Sequence, residues 1–271
     1  MKTRCEKIAL HHSEINFHVF GNGEAPLFCF HGYGNSGRSF EFLNEYLGNR
    51  FTFFSIDLPF HGESKWNESY PINPSDLIQI LKLLLEKHGF GGKMISLCGY
   101  SLGGRIALAL TELMAAEVER TVLIAPDGLH MNFWYWVGTQ TQTGNFIFNR
   151  IMKHPQFVER FFALAEKRGW ASKREIDFAG YYVRTETARL NLYNRWTFLR
   201  KFKPSIRNLR RVILKFNISV RMLFGINDPI ILSKRSEKLR KGIPHVKVDI
   251  VSANHFLLNR SHADDIVKMF Y

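Results

Sequence analysis

The sequence predicts an α/β fold: a mostly parallel sheet with helices on both faces, interrupted by a helical insertion. Three observations carry this. Short apolar runs of strand length alternate with helix-forming segments from residue 26 to residue 125 and again from 220 onward. Between them, from Leu129 to about Ser205, the alternation stops and the text becomes helical and aromatic. Finally, Ser101, Asp228 and His255 each stand just past a strand-like run, which in a parallel sheet places all three on one edge.

The chain opens with two alternating stretches, 6–10 and 15–20, broken at His11-His12-Ser13 and followed by Gly21-Asn22-Gly23, so a β-hairpin is expected. No Cys or carboxylate cluster accompanies the His doublet, which therefore reads as a turn and not a metal site. Pro26-Leu27-Phe28-Cys29-Phe30 is a buried strand running into His31-Gly32-Tyr33-Gly34-Asn35-Ser36-Gly37. Its glycines let backbone approach whatever occupies the site, making His31 and Gly32 candidate substrate-binding residues. A helix is expected over 38–47 and a strand over 51–56.

Asp57-Leu58-Pro59-Phe60-His61-Gly62 follows that strand. Asp57 and His61 look like a catalytic pair but read better as a loop that shapes the site, with Asp57 bonding backbone groups in the turn. Pro74-Ser75-Asp76 starts a helix with Leu77, Ile80, Leu81, Leu84 and Leu85 at helical spacing, ended by Gly89 and Gly91-Gly92.

The organising stretch is Gly99-Tyr100-Ser101-Leu102-Gly103-Gly104. A strand over 93–98 turns sharply into an Ala- and Leu-rich helix from Arg105 on, which would set Ser101 on a strained turn with its hydroxyl exposed. The helix start supplies backbone N–H groups, so the amides of Leu102 and Tyr33 are the candidate oxyanion donors. Another strand, 120–125, closes at Pro126-Asp127-Gly128.

The insertion is rich in rings: the run Phe133-Trp134-Tyr135-Trp136, then Phe146, Phe148, Phe157, Phe161-Phe162, Trp170, Tyr181-Tyr182, Tyr193, Trp196 and Phe198. Most are expected to form its own core and its seal on the sheet. The run at 133–136 is too dense to face inward entirely, so Trp134 and Trp136 are candidates for lining an apolar pocket. Strands at 220–225 and 246–251, and helices at 232–241 and 260–271, complete the chain. The expected parts are therefore a core at 1–127 and 206–271 and a helical cap at 128–205.

A serine hydroxyl needs a base before it attacks a carbonyl. His255 supplies one near neutral pH, and Asp228 would fix its tautomer and stabilise its protonated form. Asp249 lies inside a strand and points away from the edge; His31 belongs to the oxyanion loop, and His262 lies beyond the edge.

The order Ser…Asp…His, the His31-Gly32 loop, the 57–62 loop, the 99–103 elbow, Gly225-Ile226-Asn227-Asp228 and Asn254-His255-Phe256 together resemble the α/β-hydrolase superfamily over nearly the whole chain outside the insertion. The resemblance implies an eight-stranded, mostly parallel sheet, a helical cap and a serine-hydrolase triad. Serine at 101, where dehalogenases and epoxide hydrolases of the superfamily carry aspartate, argues against those two activities. One departure is Phe60, where the superfamily usually has glycine before His-Gly. The Ser-Leu-Gly-Gly-Arg run at 101–105 also looks like elbows of the menaquinone-pathway lyases, so a lyase using the same triad stays open, as does a non-catalytic binding role. The expected activity is cleavage of a carboxylic ester or thioester, with no cofactor or metal.

At 271 residues and 45% hydrophobic, the chain is globular in composition. Three cysteines, two of them in apolar runs, point to free thiols and no disulfide framework. No secretory leader and no run long and apolar enough to span a bilayer is visible, so the cytoplasm is the expected location. The net charge is +13, and between Asp127 and Phe216 seventeen Lys and Arg face six Asp and Glu. An anionic ester or thioester substrate, peripheral contact with anionic lipid, and a merely solvated basic surface all fit that surplus; no nucleic-acid-binding fold is apparent.

Overall fold

In a computed structural model of the chain, residues 3–173, 176–177, 180 and 183–271 are described. The expected rings Tyr181 and Tyr182 lie outside them. Two compact units emerge, one of Met1–His130 with Phe202–Tyr271 and one of Met131–Lys201.

The first unit holds the sheet. β1 (Arg4–Leu10) and β2 (Ser13–Phe20) form the antiparallel hairpin, turning at His11 with φ 52°. β3 (Ala25–Phe30), β4 (Phe51–Ile56), β5 (Ile95–Tyr100), β6 (Val118–Ile124), β7 (Ser219–Gly225) and β8 (Val246–Val251) follow. The spatial order is β1-β2-β4-β3-β5-β6-β7-β8, with every pairing from β4 to β8 parallel and β2 antiparallel to β4. This is the eight-stranded, mostly parallel sheet expected. Every residue of β4 and β5 is buried, as continuous apolar runs in a sheet covered on both faces require. At the rim, β8 alternates loosely and leaves Lys247, Asp249 and Ile250 exposed.

Helices α1 (Asn44–Leu47), α2 (Pro74–Lys87) and α3 (Leu102–Leu113) belong to the first half of this unit. α2 begins where the Asn73 amide donates to the Asp76 carboxylate at 2.9 Å, and it buries Leu77, Ile80, Leu81, Leu84 and Leu85 as the spacing predicts. Only part of the helix expected over 38–47 is α-helical: Gly37–Leu43 is a 3₁₀ segment leading into α1.

In the second unit, α4 (Phe133–Gln140), α5 (Gln142–Lys153), α6 (Pro155–Lys167) and α7 (Glu186–Phe198) are joined by short links or by the partly described stretch before Val183. Met152, Val158 and Val183 form its small core, with Phe148, Phe162, Leu192 and Tyr193 packed around them. The buried Arg189 reaches the carbonyl oxygens of Met152 (2.8 Å) and Val183 (3.2 Å), so its charge is balanced by backbone dipoles inside this unit. Phe133, Trp134, Trp136, Phe146, Phe157 and Trp170 are exposed.

Back in the first unit, α8 (Ile206–Phe216) leads into β7, and the short α9 (Glu237–Arg240) and α10 (Ala263–Lys268) flank β8. Both short helices are entered through 3₁₀ turns, at Ser233–Ser236 and Arg260–His262. Cys29 and Cys98 are buried on paired positions of β3 and β5, and Cys5 is exposed; all three are free thiols. Among the described residues no helix is long and apolar enough to cross a membrane, and no cluster of ligating side chains could hold a metal.

Candidate active site

The sheet order puts β3, β5, β6, β7 and β8 side by side and parallel, so the loops after them share one edge. Ser101 stands at the end of β5 and caps α3 with φ 50° and ψ −115°, a conformation that L-residues adopt only under constraint. Three backbone bonds impose it. The Ser101 amide donates to Ile124 O (3.0 Å), and the Ser101 carbonyl accepts from the amides of Gly104 and Asp127 (both 2.9 Å). Gly103 is required for a different reason: a Cβ there would lie 1.9 Å from the carbonyl oxygen of Phe30, inside the backbone of β3.

Asp228 and His255 follow β7 and β8. His255 Nε2 lies 3.0 Å from Ser101 Oγ, and His255 Nδ1 lies 2.7 Å from Asp228 Oδ2. The other carboxylate oxygen, Oδ1, accepts from the amides of Ile230 (2.8 Å) and Ile231 (2.9 Å). Burial pushes the Asp228 carboxyl up, but the hydrogen bond and charge of His255 and the two amides outweigh it. The net direction is down, so the group is an anion at neutral pH. With its Oδ2 on Nδ1, the proton on the imidazole is drawn to Nδ1 and Nε2 is left to accept from the serine. The Tyr100 hydroxyl holds the carbonyl oxygen of His255 at 3.1 Å.

On the neighbouring strand end, the His31 ring is fully buried. Leu58 N donates to Nε2 at 3.0 Å, so Nδ1 carries the proton and donates to Gly32 O at 2.7 Å. Because a trans peptide sets C=O and N–H in opposite directions, pinning the Gly32 carbonyl aims the Tyr33 amide the other way. Gly32 itself is buried against the Tyr100 ring, 2.8 Å from where a Cβ would stand. His31 thus sits inside the loop, ordering it through backbone groups.

A family model described as the alpha/beta hydrolase family matches residues 27–269. The chain belongs to the α/β-hydrolase family. A putative esterase/lipase of Mycoplasma genitalium is 32% identical over 91 residues, 34% of this chain and 32% of the relative. A pimeloyl-[acyl-carrier protein] methyl ester esterase of Nitrosomonas europaea is 27% identical over 154 residues, 56% of this chain and 58% of the relative. These matches thus span about a third and somewhat over half of those relatives' own lengths. In fold, a thermophilic esterase of Thermogutta terrifontis superposes with a TM-score of 0.69 at 17% identity, covering 98% of this chain and 96% of that one.

Within this α/β-hydrolase the remaining expected residues divide clearly. Asp57 is a scaffold group, as the loop reading expected. Its carboxylate accepts from the amides of Gly37 (2.7 Å) and Glu63 (2.9 Å), from Asn16 Nδ2 (2.9 Å) and from His18 (3.2 Å). Burial raises that carboxyl, and the four donors more than reverse it, holding it well below the usual range. Phe60, at the position where glycine is usual, keeps the left-handed backbone with φ 63° despite its side chain. His61 is buried, its Nδ1 3.0 Å from Pro59 O, with its ring edge-on to His31 at 4.9 Å. Asp249 lies within β8, as expected, and is exposed there. Trp134 and Trp136 lie in the second unit, where Trp134 packs on Trp170 (5.0 Å) and Phe161 (6.0 Å).

Sequence reasoning missed Asn16, His18 and Tyr100. A signal existed for the first two: polar residues at alternate positions of β2 share the face of the apolar Phe20, so both need a buried partner.

Proposed function

We propose that the protein hydrolyses a carboxylic ester or thioester through an acyl-enzyme formed on Ser101. The observation that carries this is the unbroken relay from Ser101 Oγ to His255 to Asp228, at 3.0 and 2.7 Å, mounted on a backbone turn held by three hydrogen bonds. In the first step Ser101 Oγ attacks the carbonyl carbon while Nε2 of His255 takes its proton. The resulting imidazolium is stabilised by Asp228, which stays ionised.

The carbonyl oxygen becomes an oxyanion facing the amides of Leu102 and Tyr33. Leu102 opens α3, where the first N–H groups have no acceptor within the helix, and Tyr33 follows the carbonyl pinned by His31. Collapse expels the alcohol or thiol, which His255 protonates. Water then gives a proton to the same nitrogen and attacks the acyl carbon, and the adduct collapses to the acid as His255 returns that proton to Ser101 Oγ. The similarity to the Mycoplasma esterase/lipase and the Nitrosomonas methyl ester esterase supports an ester as the substrate class.

The test is covalent labelling with a fluorophosphonate together with turnover of 4-nitrophenyl esters of increasing acyl length. Wild type should label and turn over, and Ser101→Ala should do neither. Labelling that survives the substitution would place the nucleophile elsewhere.

A further inference from the structure

The basic surplus is not confined to the insertion. Met131–Lys201 carries twelve Lys and Arg against five Asp and Glu, but residues 202–241 of the sheet-bearing unit carry eleven against two. Of those two acids, Asp228 is buried against His255, and Glu237 pairs with one of the eleven cations, Arg240.

The excess is organised on α8. Leu209 and Ile213 are buried on one side of the helix, while Arg207, Arg211 and Lys215 stand exposed one turn apart on the other. Leu214, 48% exposed, lies on that same side one turn beyond Arg211, beside Lys215. Phe216, two residues on and so turned to the other side of the helix, holds the Lys215 ammonium 5.0 Å from its ring centre. Arg210 donates to the carbonyl oxygens of Lys238 (3.0 Å), Leu239 (3.2 Å) and Lys241 (2.8 Å), which brings the exposed Lys238 and Lys241 alongside. Among the described residues, no ion pair engages Arg207, Arg211, Lys215, Lys238 or Lys241.

We propose that this face docks on the surface of an anionic lipid bilayer. The cations would meet lipid phosphates, and Leu214 would enter the boundary between headgroups and acyl chains. A nucleic acid would satisfy the charges equally but would leave the exposed apolar Leu214 within the contact without a role. The proposal is independent of the chemistry assigned to Ser101.

The experiment is co-sedimentation of the full chain with vesicles of phosphatidylglycerol and phosphatidylcholine in equal parts, and with phosphatidylcholine alone. The chain should pellet with the anionic vesicles at low salt, stay in solution with the neutral ones, and be released by high salt. Each surface Lys or Arg contributes about fivefold to such partitioning, so Arg207→Gln/Arg211→Gln/Lys215→Gln should weaken it about a hundredfold. Leu214→Ser should weaken it about tenfold while leaving the charge intact. All these side chains are exposed, and unchanged thermal melting verifies that the variants are folded. The proposal fails if wild type ignores anionic vesicles at low salt. It fails equally if Leu214→Ser has no effect on vesicle binding while duplex DNA competes the vesicles away, which would make the face a general polyanion site.

Discussion

The phenol of Tyr100 and the backbone of His255 are tied together across 155 positions of sequence: the hydroxyl donates to the His255 carbonyl oxygen at 3.1 Å, and the two rings lie 5.7 Å apart. Tyr100 is the residue before the candidate nucleophile, so the same β5 end that holds Ser101 also holds the loop of the candidate base.

Removing that tie should loosen the base without touching substrate. Tyr100→Phe is expected to lower kcat about tenfold with KM nearly unchanged, because a small misplacement of a proton acceptor acts on the chemical step. The carbonyl still receives the Leu257 amide at 2.9 Å, so the loss in stability should stay near 1 kcal/mol. Steady-state kinetics beside a urea melt separates the two effects; a rise in KM alone would show that Tyr100 shapes binding and not the base.

Asp228 has a sharper expected signature. Asp228→Asn should cut kcat by about 10⁴, since an amide can donate to Nδ1 and favour the wrong tautomer. Single-turnover acylation measures this directly, and a drop of less than tenfold would remove Asp228 from the proton relay.

Asp57 should behave as a stability residue. Asp57→Ala leaves the amides of Gly37 and Glu63 and the side chain of Asn16 facing an empty site, at an expected cost of about 3–5 kcal/mol. Since its carboxyl is held below the ordinary range, its contribution is fully present above about pH 4 and is lost as pH falls further. Urea midpoints measured across that range should fall for wild type and stay flatter for Asp57→Asn.

Phe60 tests backbone strain. Phe60→Ala and Phe60→Gly both remove the ring, but only glycine is at ease at φ 63°, so the Gly variant should be the more stable by about 1 kcal/mol. Equal melting of the two would mean that the loop relaxes when the ring is lost.

The elbow glycine supplies a contrast with a helix end. Gly103→Ala must displace the Phe30 carbonyl and is expected to cost more than about 3 kcal/mol, while Gly89→Ala, with open space around it, pays only for φ 75°, about 1 kcal/mol. Calorimetry on the pair distinguishes steric from conformational cost.

Much of this was legible because it is local. The strands at 51–56 and 246–251 stand where their apolar and alternating runs end, and the elbow strand is shifted by two residues because Gly99 and Tyr100 continue the ladder with β6. The segments at 38–47, 232–241 and 260–271 were harder. Each is a 3₁₀ turn followed by a short α-helix, and apolar residues three or four apart do not separate those states. Spacing and strand ends alone brought Ser101, Asp228 and His255 forward as a group. Tyr100 stayed hidden because its partner is a main-chain oxygen, which leaves no trace in residue identity, and Asp57 showed its turn amides but not the Asn16 and His18 side chains waiting across the sheet.

Phe60, Ser101 and Ala125 all carry positive φ, at 63°, 50° and 41°, and they follow β4, β5 and β6 in turn. A laboratory selection for heat resistance would reach these three positions early, because substituting glycine there releases conformational energy that the rest of the molecule now supports. On the reading proposed for Ser101, glycine at that position would also remove the nucleophile, so survivors substituted there would gain melting temperature and surrender turnover together.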